Sequence, residues 1–353
     1  MRIGLVAGPW IPVPPVTYGG TERVVDLLAR GFAEAGHEVL LAASSDSRCP
    51  VRRVPGMRTS NPKELGFTLS ELSHVVRAYE GLGEVDIIHD HTLAGTLYRG
   101  RPPGVPVVTT IHGLLTPAAQ EVYRAIGRSA SIIAISRDQA SRSPGVPVCA
   151  VIHHGIDLSS VPVGTGQGGY LCFVGRMSPD KGVLEAIKIA RQAGVPLRIA
   201  AKMRAPEEVK YFEEVIKPIL GSNEDFMGEA DDAEKYHLMG EALAFLNPIH
   251  WAEPFGLVMI EALATGTPVL GTPFGSAPEI VAHGVTGYLA SIEDLAAMIP
   301  AAAGLSRAQC RAQVEQQFSA ERMVADHLRL FAELIEEQSG GRVPESVPSS
   351  QSL

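Results

Sequence analysis

The sequence predicts an α/β fold of two doubly wound, mostly parallel-sheet domains that face each other across a cleft. Three observations carry that expectation. Short apolar stretches alternate with helix-like stretches along the chain, as expected for parallel strands covered on both faces. A length of 353 residues suits two domains rather than one. A small, flexible, nearly uncharged break within 158–169, containing SSVPVGTGQGG, reads as the edge of a linker.

In the first half, strands are expected at Ile3 to Ala7, Glu38 to Ala43, Val85 to His89, Val105 to Thr110, Ser131 to Ile135 and Cys149 to Ile152. A helix over Thr21 to Ala35 follows from Val24, Val25, Leu28 and Phe32 at helical spacing, with Gly36 as its terminator. A second helix is expected around Leu69 to Tyr79. In the second half, strands are expected at Tyr170 to Val174, Leu197 to Ala201, Asp225 to Met227, Leu243 to Leu246 and Pro268 to Gly271. Helices fall near 181–193, 206–220, 231–241, 256–265, 276–282 and 292–302, and over 306–338 with a break near Ser319. The domain expectation is 1–163, 164–320, a helix over 321–338 that crosses back to the first domain, and a disordered tail over 339–353.

Composition narrows the function. Apolar residues make up 45% and charged residues 20%, ordinary for a globular chain, and no run of about 18 apolar residues predicts a membrane span. The start, MRIGLVAGPW, reads as a first strand rather than a signal peptide, so the expected location is the cytoplasm. The net charge is −9, split as +1 over residues 1–163 and −10 over 164–353. That balance argues against nucleic acid and anionic lipid as partners. Cys49, Cys149, Cys172 and Cys310 lack the close spacing of a metal or redox motif and read as structural thiols. The loop after the first strand contains no G-x-G-x-x-G, and the chain has no G-x-S-x-G, no phosphate-loop lysine motif and no D-x-D at a strand end.

Four segments can carry chemistry. In HWAEPFGLVMIEALATGTPV, Glu253 precedes a helix start whose free N–H groups, around Gly256 to Val258, can hold a phosphate or a sugar hydroxyl. Glu261 lies over a turn deeper in an apolar stretch, where a carboxylate needs partners. The alternative is a helix cap plus a buried structural glutamate. In VGRMSPDKG, Arg176 and Lys181 flank a turn after a strand and can neutralise a diphosphate. In YGGTER, Gly19 and Gly20 allow close backbone approach to a ligand. Finally, His89, His91, His112, His153 and His154 cluster at strand ends. A metal site from His89, Asp90, His91 and His112 is one reading of them, and loop hydrogen bonding is the other.

Together these segments resemble the retaining glycosyltransferase family 4, with its GT-B fold of two facing Rossmann-like domains. The resemblance covers residue 1 to about 335. It rests on the E-x7-E spacing of Glu253 and Glu261, the G-R-x-x-x-x-K-G of Arg176 and Lys181, the Gly19–Gly20 loop, His112 before Gly113, and GSAPEIVAHGVTGYL. It implies a nucleotide-sugar donor held by the second domain: Arg176 and Lys181 on the diphosphate, Glu261 on the ribose hydroxyls, and Glu253 on the donor sugar. Backbone groups from Phe255, Gly256, Leu257 and Val258 would help. Met227, Gly228 and Glu229 would line the nucleobase, and His112 would sit beside the transferred sugar. It implies transfer with retention, no cofactor and no metal.

The chain departs from the family pattern at His153 and His154, which stand for Pro and Asn. Two glycines are missing after LRIAAKM, where Lys202 either adds a cation near the diphosphate or faces solvent, and Ser276 stands for a glycine. The preferred donor is UDP-linked and the preferred acceptor a soluble saccharide or small molecule such as a natural product. A cationic loop of Arg48, Arg52, Arg53 and Arg58 would either suit an anionic acceptor instead or simply stay in solvent. Lipid or cell-envelope acceptors, a nucleotide-sugar epimerase or hydrolase, and a nucleotide-sugar sensor are the rivals; a homodimer is left open.

Overall fold

The computed structural model describes residues 1–16 and 19–340. Among the described residues thirteen strands form two sheets, and every strand pairing is parallel. The first sheet holds β1 (Arg2–Val6), β2 (Glu38–Ala42), β3 (Arg52–Arg53), β4 (Ile87–Asp90), β5 (Val107–Ile111), β6 (Ser131–Ala134) and β7 (Val148–Val151), in the order β3-β2-β1-β4-β5-β6-β7. The second holds β8 (Leu171–Arg176), β9 (Leu197–Lys202), β10 (Glu224–Gly228), β11 (Ala244–Asn247), β12 (Val269–Gly271) and β13 (Gly287–Leu289), in the order β10-β9-β8-β11-β12-β13. These are the two Rossmann-like sheets of a GT-B fold.

The apolar stretches become strands because helices bury both faces of each sheet. Ile3, Leu5, Ile87, Val108 and Ile133 are sealed on one face by Val24, Val25, Leu28 and Phe32 of the helix Gly20–Glu34. Each such fully buried Leu or Phe contributes about 1.5–3 kcal/mol. The other face packs on Val75, Ala78, Tyr79 and Leu82 of the helix Thr68–Leu82. The final helix, Ala320–Gly340, joins the first domain: Met323, Val324 and Phe331 are buried in its core, with the Phe331 ring 5.5 Å from Phe32. The preceding helix, Arg307–Gln317, packs instead on the second domain, and the chain changes domain at Phe318 and Ser319. The final helix runs to Gly340. The rest of the expected disordered tail, 341–353, lies outside the described residues.

Several elements differ from expectation. The Arg-rich loop contains the two-residue strand β3, and β13 follows HGVT. Short helices at Leu93–Leu97, Pro117–Ile126 and Arg137–Ser141 fill the first domain. The stretch expected as one helix over 206–220 is the helix Pro206–Tyr211, a π turn at Phe212–Ile216 and a 3-10 turn at Lys217–Ile219, because Pro218 cannot continue the ladder. The glycine-rich segment is pinned rather than loose. Gly164 N–H donates to Thr265 O at 3.0 Å, and the Arg307 guanidinium holds Gly164 O at 3.0 Å. A Cβ at Gly164 would lie 2.1 Å from Gly240 O, so the close approach requires glycine.

Candidate functional site

In a doubly wound sheet, ligands sit beyond the carboxyl ends of the strands where the strand order reverses. Here the reversals lie between β1 and β4 and between β8 and β11. The candidate residues gather at those two places. Gly19 follows the loop after β1, and His91 follows β4. Arg176 ends β8, and the segment 250–256 follows β11.

On the second domain, Arg176 and Lys202 are partners in the β8–β9 register, so both cations emerge at the same sheet edge. Arg176 is bonded to Asp180 at 2.9 Å and lies 3.6 Å from the buried carboxylate of Glu208. Burial, followed by the neighbouring cations Arg204 and Arg176, pushes the Lys202 ammonium down to about 7, against the opposing pull of Glu208. Lys181 closes a 3-10 turn, Pro179–Lys181. Its ammonium makes a short bond to Glu253 and sits 4.9 Å from the Trp251 ring centroid. The pair places Glu253 at the mouth of the helix Leu257–Ala264 and next to the cation expected to meet a diphosphate. Gly256 is the cap of that helix in left-handed backbone, φ 81°.

The Glu253 backbone is held by the loop after β12. Gly275, φ 59°, runs so close that a Cβ would lie 2.3 Å from Glu253 O. Ser276 N–H donates to Glu253 O at 3.0 Å, and its hydroxyl donates to Phe255 O. The serine that replaces the family glycine therefore ties down the segment that carries Glu253.

Glu261 is buried, and its Oε1 accepts from Lys235 Nζ at 2.7 Å. Lys235 also meets Asp232 at 3.0 Å, and Asp232 accepts from Arg23 of the first domain at 2.5 Å. Lys235 answers the demand for a partner at Glu261. Nothing in the sequence marked it, because a lysine in the polar helix Asp232–Glu241 has no motif. Although burial works against the cation, Glu261, Tyr236 and Asp232 carry it above the ordinary lysine value. Met227 is half-exposed at the end of β10, Gly228 follows in left-handed backbone, and Glu229 pairs with Arg204 at 3.0 Å.

On the first domain, His112 follows β5 and is partly exposed. Its Nε2 is 2.7 Å from Nδ1 of His91, and its ring stacks on His154 at 5.4 Å. His154 in turn meets the Phe255 ring edge-on at 5.3 Å, which brings the first domain against the Glu253 segment. The metal reading of this cluster is not supported by geometry. Asp90 is committed to Thr92 N, the Thr92 hydroxyl and the Tyr79 hydroxyl, and His89 Nε2 to Thr110. Among the described residues no group of three or more His, Cys, Asp or Glu is arranged to hold a metal ion. The cationic loop is partly spent on structure: Arg52 lies 3.4 Å from Glu38, and Arg53 bonds the carbonyls of Ser45 and Ser47.

Two further contacts join the domains. Glu279 accepts from the N–H groups of Arg137 and Asp138, at 2.9 and 2.8 Å, and from His153 Nε2 at 2.8 Å. Gly20 lies against Leu257, which packs into both domain cores. A small cavity of about 50 Å³, lined among others by Leu114, Arg142 and Pro254, lies between the segment after His112 and the segment carrying Glu253.

Comparison with known proteins agrees with this architecture. The model of the family described as Glycosyltransferase Family 4 matches residues 18–160, and that described as Glycosyl transferases group 1 matches 164–305. Glycogen synthase of Mycobacterium tuberculosis is 28% identical over 387 aligned positions, covering 92% of this chain and 91% of that protein. Phosphatidyl-myo-inositol mannosyltransferase of Mycolicibacterium smegmatis is 27% identical, covering 86% and 84%. Among solved structures, AviGT4, a glycosyltransferase involved in avilamycin A biosynthesis, is 27% identical with a TM-score of 0.72, covering 95% of this chain and 98% of that one. Anabaena HepE in complex with UDP and glucose shares the fold at 21% identity, with a TM-score of 0.73 and coverage of 94% and 99%.

The fold and the two switch-point clusters define a nucleotide-sugar-dependent glycosyltransferase of the GT-B class. Within that class, the chain belongs to the family 4 and group 1 glycosyltransferases. No helix of the described residues is long and apolar enough to cross a membrane.

Proposed function

We propose that the protein transfers a sugar, with retention of anomeric configuration, from a UDP-sugar to a hydroxyl of a soluble saccharide or small-molecule acceptor. What supports this reading is that Arg176 ends β8 and Lys181 bonds Glu253 at the β8–β11 reversal, with Glu261 on the helix that follows, and that His112 reaches the same segment through His154 and Phe255. UDP is favoured because HepE is seen with UDP in the same fold. A small-molecule acceptor is favoured by the near-neutral first domain and by the similarity to AviGT4.

Arg176 and Lys181 hold the diphosphate, with Lys202 behind them, and Glu261 accepts from the ribose hydroxyls. Glu253 and the first N–H groups of its helix hold the donor sugar, while Met227, Gly228 and Glu229 line the base. The bond from the anomeric carbon to the phosphate oxygen breaks as the acceptor oxygen bonds to the same face, and the acceptor proton passes to the leaving phosphate. Fixed cations stabilise the charge that develops there, so the reaction requires no metal. Closure of the domains excludes water.

A second reading, a lipid or cell-envelope acceptor, is favoured by one observation: Leu65, Phe67, Leu69 and Leu72 are all exposed on the first domain, and phosphatidyl-myo-inositol mannosyltransferase is among the relatives. The test of the site is His112→Ala. Turnover should fall far more than nucleotide affinity, because the His112 contact forms at the reacting sugar. Equal large losses in both would remove His112 from that role.

A further inference from the structure

His112 does not stand alone. Behind it runs a file of imidazoles. His91 lies 5.0 Å from His112 between ring centroids, His89 lies 4.1 Å from His91, and His327 of the final helix lies 5.2 Å from His89. Each of the three rear rings has one nitrogen bonded and one buried without a partner. His91 uses Nδ1 on His112 and leaves Nε2 bare. His89 uses Nε2 on Thr110 and leaves Nδ1 bare. His327 uses Nδ1 on Met323 O and leaves Nε2 bare.

This pattern assigns the protons. A buried N–H without an acceptor is rarer and costlier than a buried lone pair without a donor. His327 must donate Nδ1–H to a carbonyl, so its bare nitrogen is a lone pair. By the same rule, His89 carries its proton on Nε2, and His91 carries its proton on Nδ1. If His91 instead accepted from His112, its own proton would sit on Nε2, buried with nothing to receive it. The Nδ1–H of His91 therefore points at Nε2 of His112. A neutral His112 must then hold its proton on Nδ1. That nitrogen is bonded to no described residue and is not among the buried unpartnered atoms, so it lies on the accessible side of the ring.

We infer that His91 is a positioning residue that fixes the tautomer of His112, so that His112 offers an Nδ1–H donor, not a basic nitrogen, to the transferred sugar. The inference rests on the role proposed above for His112. Burial, and after it the other imidazoles, hold His91 well below the ordinary imidazole value, which keeps it neutral. His154, stacked on His112 at 5.4 Å between ring centroids, limits rotation of that ring. The product of this arrangement is a fixed hydrogen-bond donor, suited to a sugar hydroxyl oxygen or a partial negative charge at the reacting centre.

The test uses the full chain with ¹⁵N-labelled histidine, with the His112 signals assigned from their loss in His112→Gln. Imidazole ¹⁵N shifts distinguish a protonated from a bare nitrogen. The wild type should show His112 protonated at Nδ1. His91→Leu, which fills the volume without a donor, should move His112 toward the Nε2–H form and lower kcat with the donor about 10-fold or more, while KM for the donor changes less than about twofold. His91→Asn places an amide N–H near the former Nδ1 and should recover most of both. Wild-type His112 protonated at Nε2, or an unchanged His112 tautomer in His91→Leu, would overturn the inference. A His112→Ala enzyme as active as wild type would instead overturn the role of His112, while the tautomer measurement would still decide the His91 contact.

Discussion

Lys235 Nζ lies 2.7 Å from Glu261 Oε1, and the two residues come from different helices of the second domain. The bond occupies one oxygen of the carboxylate proposed for the ribose and leaves the other to a ligand. It also starts a polar chain that reaches the first domain through Asp232 and Arg23. The proposed ribose contact and the interdomain contact thus share a cation.

Lys235→Met should weaken nucleotide binding about 10-fold or more and lower stability by about 3 kcal/mol, since it leaves a buried carboxylate without its cation. Calorimetric titration and urea unfolding check the two effects. Unchanged nucleotide affinity in a folded variant would separate Lys235 from the ribose site.

Arg176→Ala should weaken diphosphate binding by about 1.5–3 kcal/mol, the usual loss for a charged hydrogen bond. Affinities for a nucleoside diphosphate and for the free nucleoside distinguish the cause. The diphosphate should lose affinity and the nucleoside should not; loss of both would place Arg176 elsewhere.

Glu279→Ala removes the acceptor for two backbone N–H groups of the first domain and for His153. Stability should fall by about 1–3 kcal/mol, the cost of leaving such donors unpaired. Because the bonds join the domains, limited proteolysis should also cut the variant faster near 137–142. An unchanged cleavage rate would show that Glu279 does not hold the domains together.

Stability should fall as pH drops from about 6.5 to about 4. Burial holds His74, His89, His91, His112, His154 and His327 below the ordinary imidazole value, with His74, His112 and His327 pushed down to about 4. The unfolded chain takes up protons near 6.5 while the native chain does not, so acidification favours unfolding in that window. Asp90, pushed up to about 6 by burial, and Glu22, raised by the same cause, act in the opposite direction. Six imidazoles against two carboxyls set the sign. Urea midpoints at about pH 7, 6 and 5 should decline in turn; a flat or rising series would contradict the burial of neutral histidines.

Much of this was legible in the sequence because parallel-sheet topology gathers strand ends. Once β5 and β8 were recognised as apolar stretches, His112 and Arg176 had to emerge at carboxyl edges. The carboxylate Glu261 in an apolar helix announced a missing partner, but not which one. Lys235 comes from a helix in which the buried Tyr236, Leu238 and Met239 stand side by side with charged residues, so its sequence marks no face. The strands β3 and β13, of two and three residues, are too short to show any period. The Glu279 bonds join residues more than 120 positions apart, and the file from His112 to His327 spans both ends of the chain. The contact of His89 with His327 exists only after the final helix has packed on the first domain.

The most direct measurement is calorimetric titration of the protein with UDP, GDP, ADP and dTDP, each with and without EDTA. The account predicts that UDP binds with the highest affinity, that EDTA leaves it unchanged, and that Glu261→Gln weakens it. Tighter binding of another nucleotide would contradict the UDP donor. Loss of UDP binding in EDTA would contradict a diphosphate site built on Arg176 and Lys181 alone.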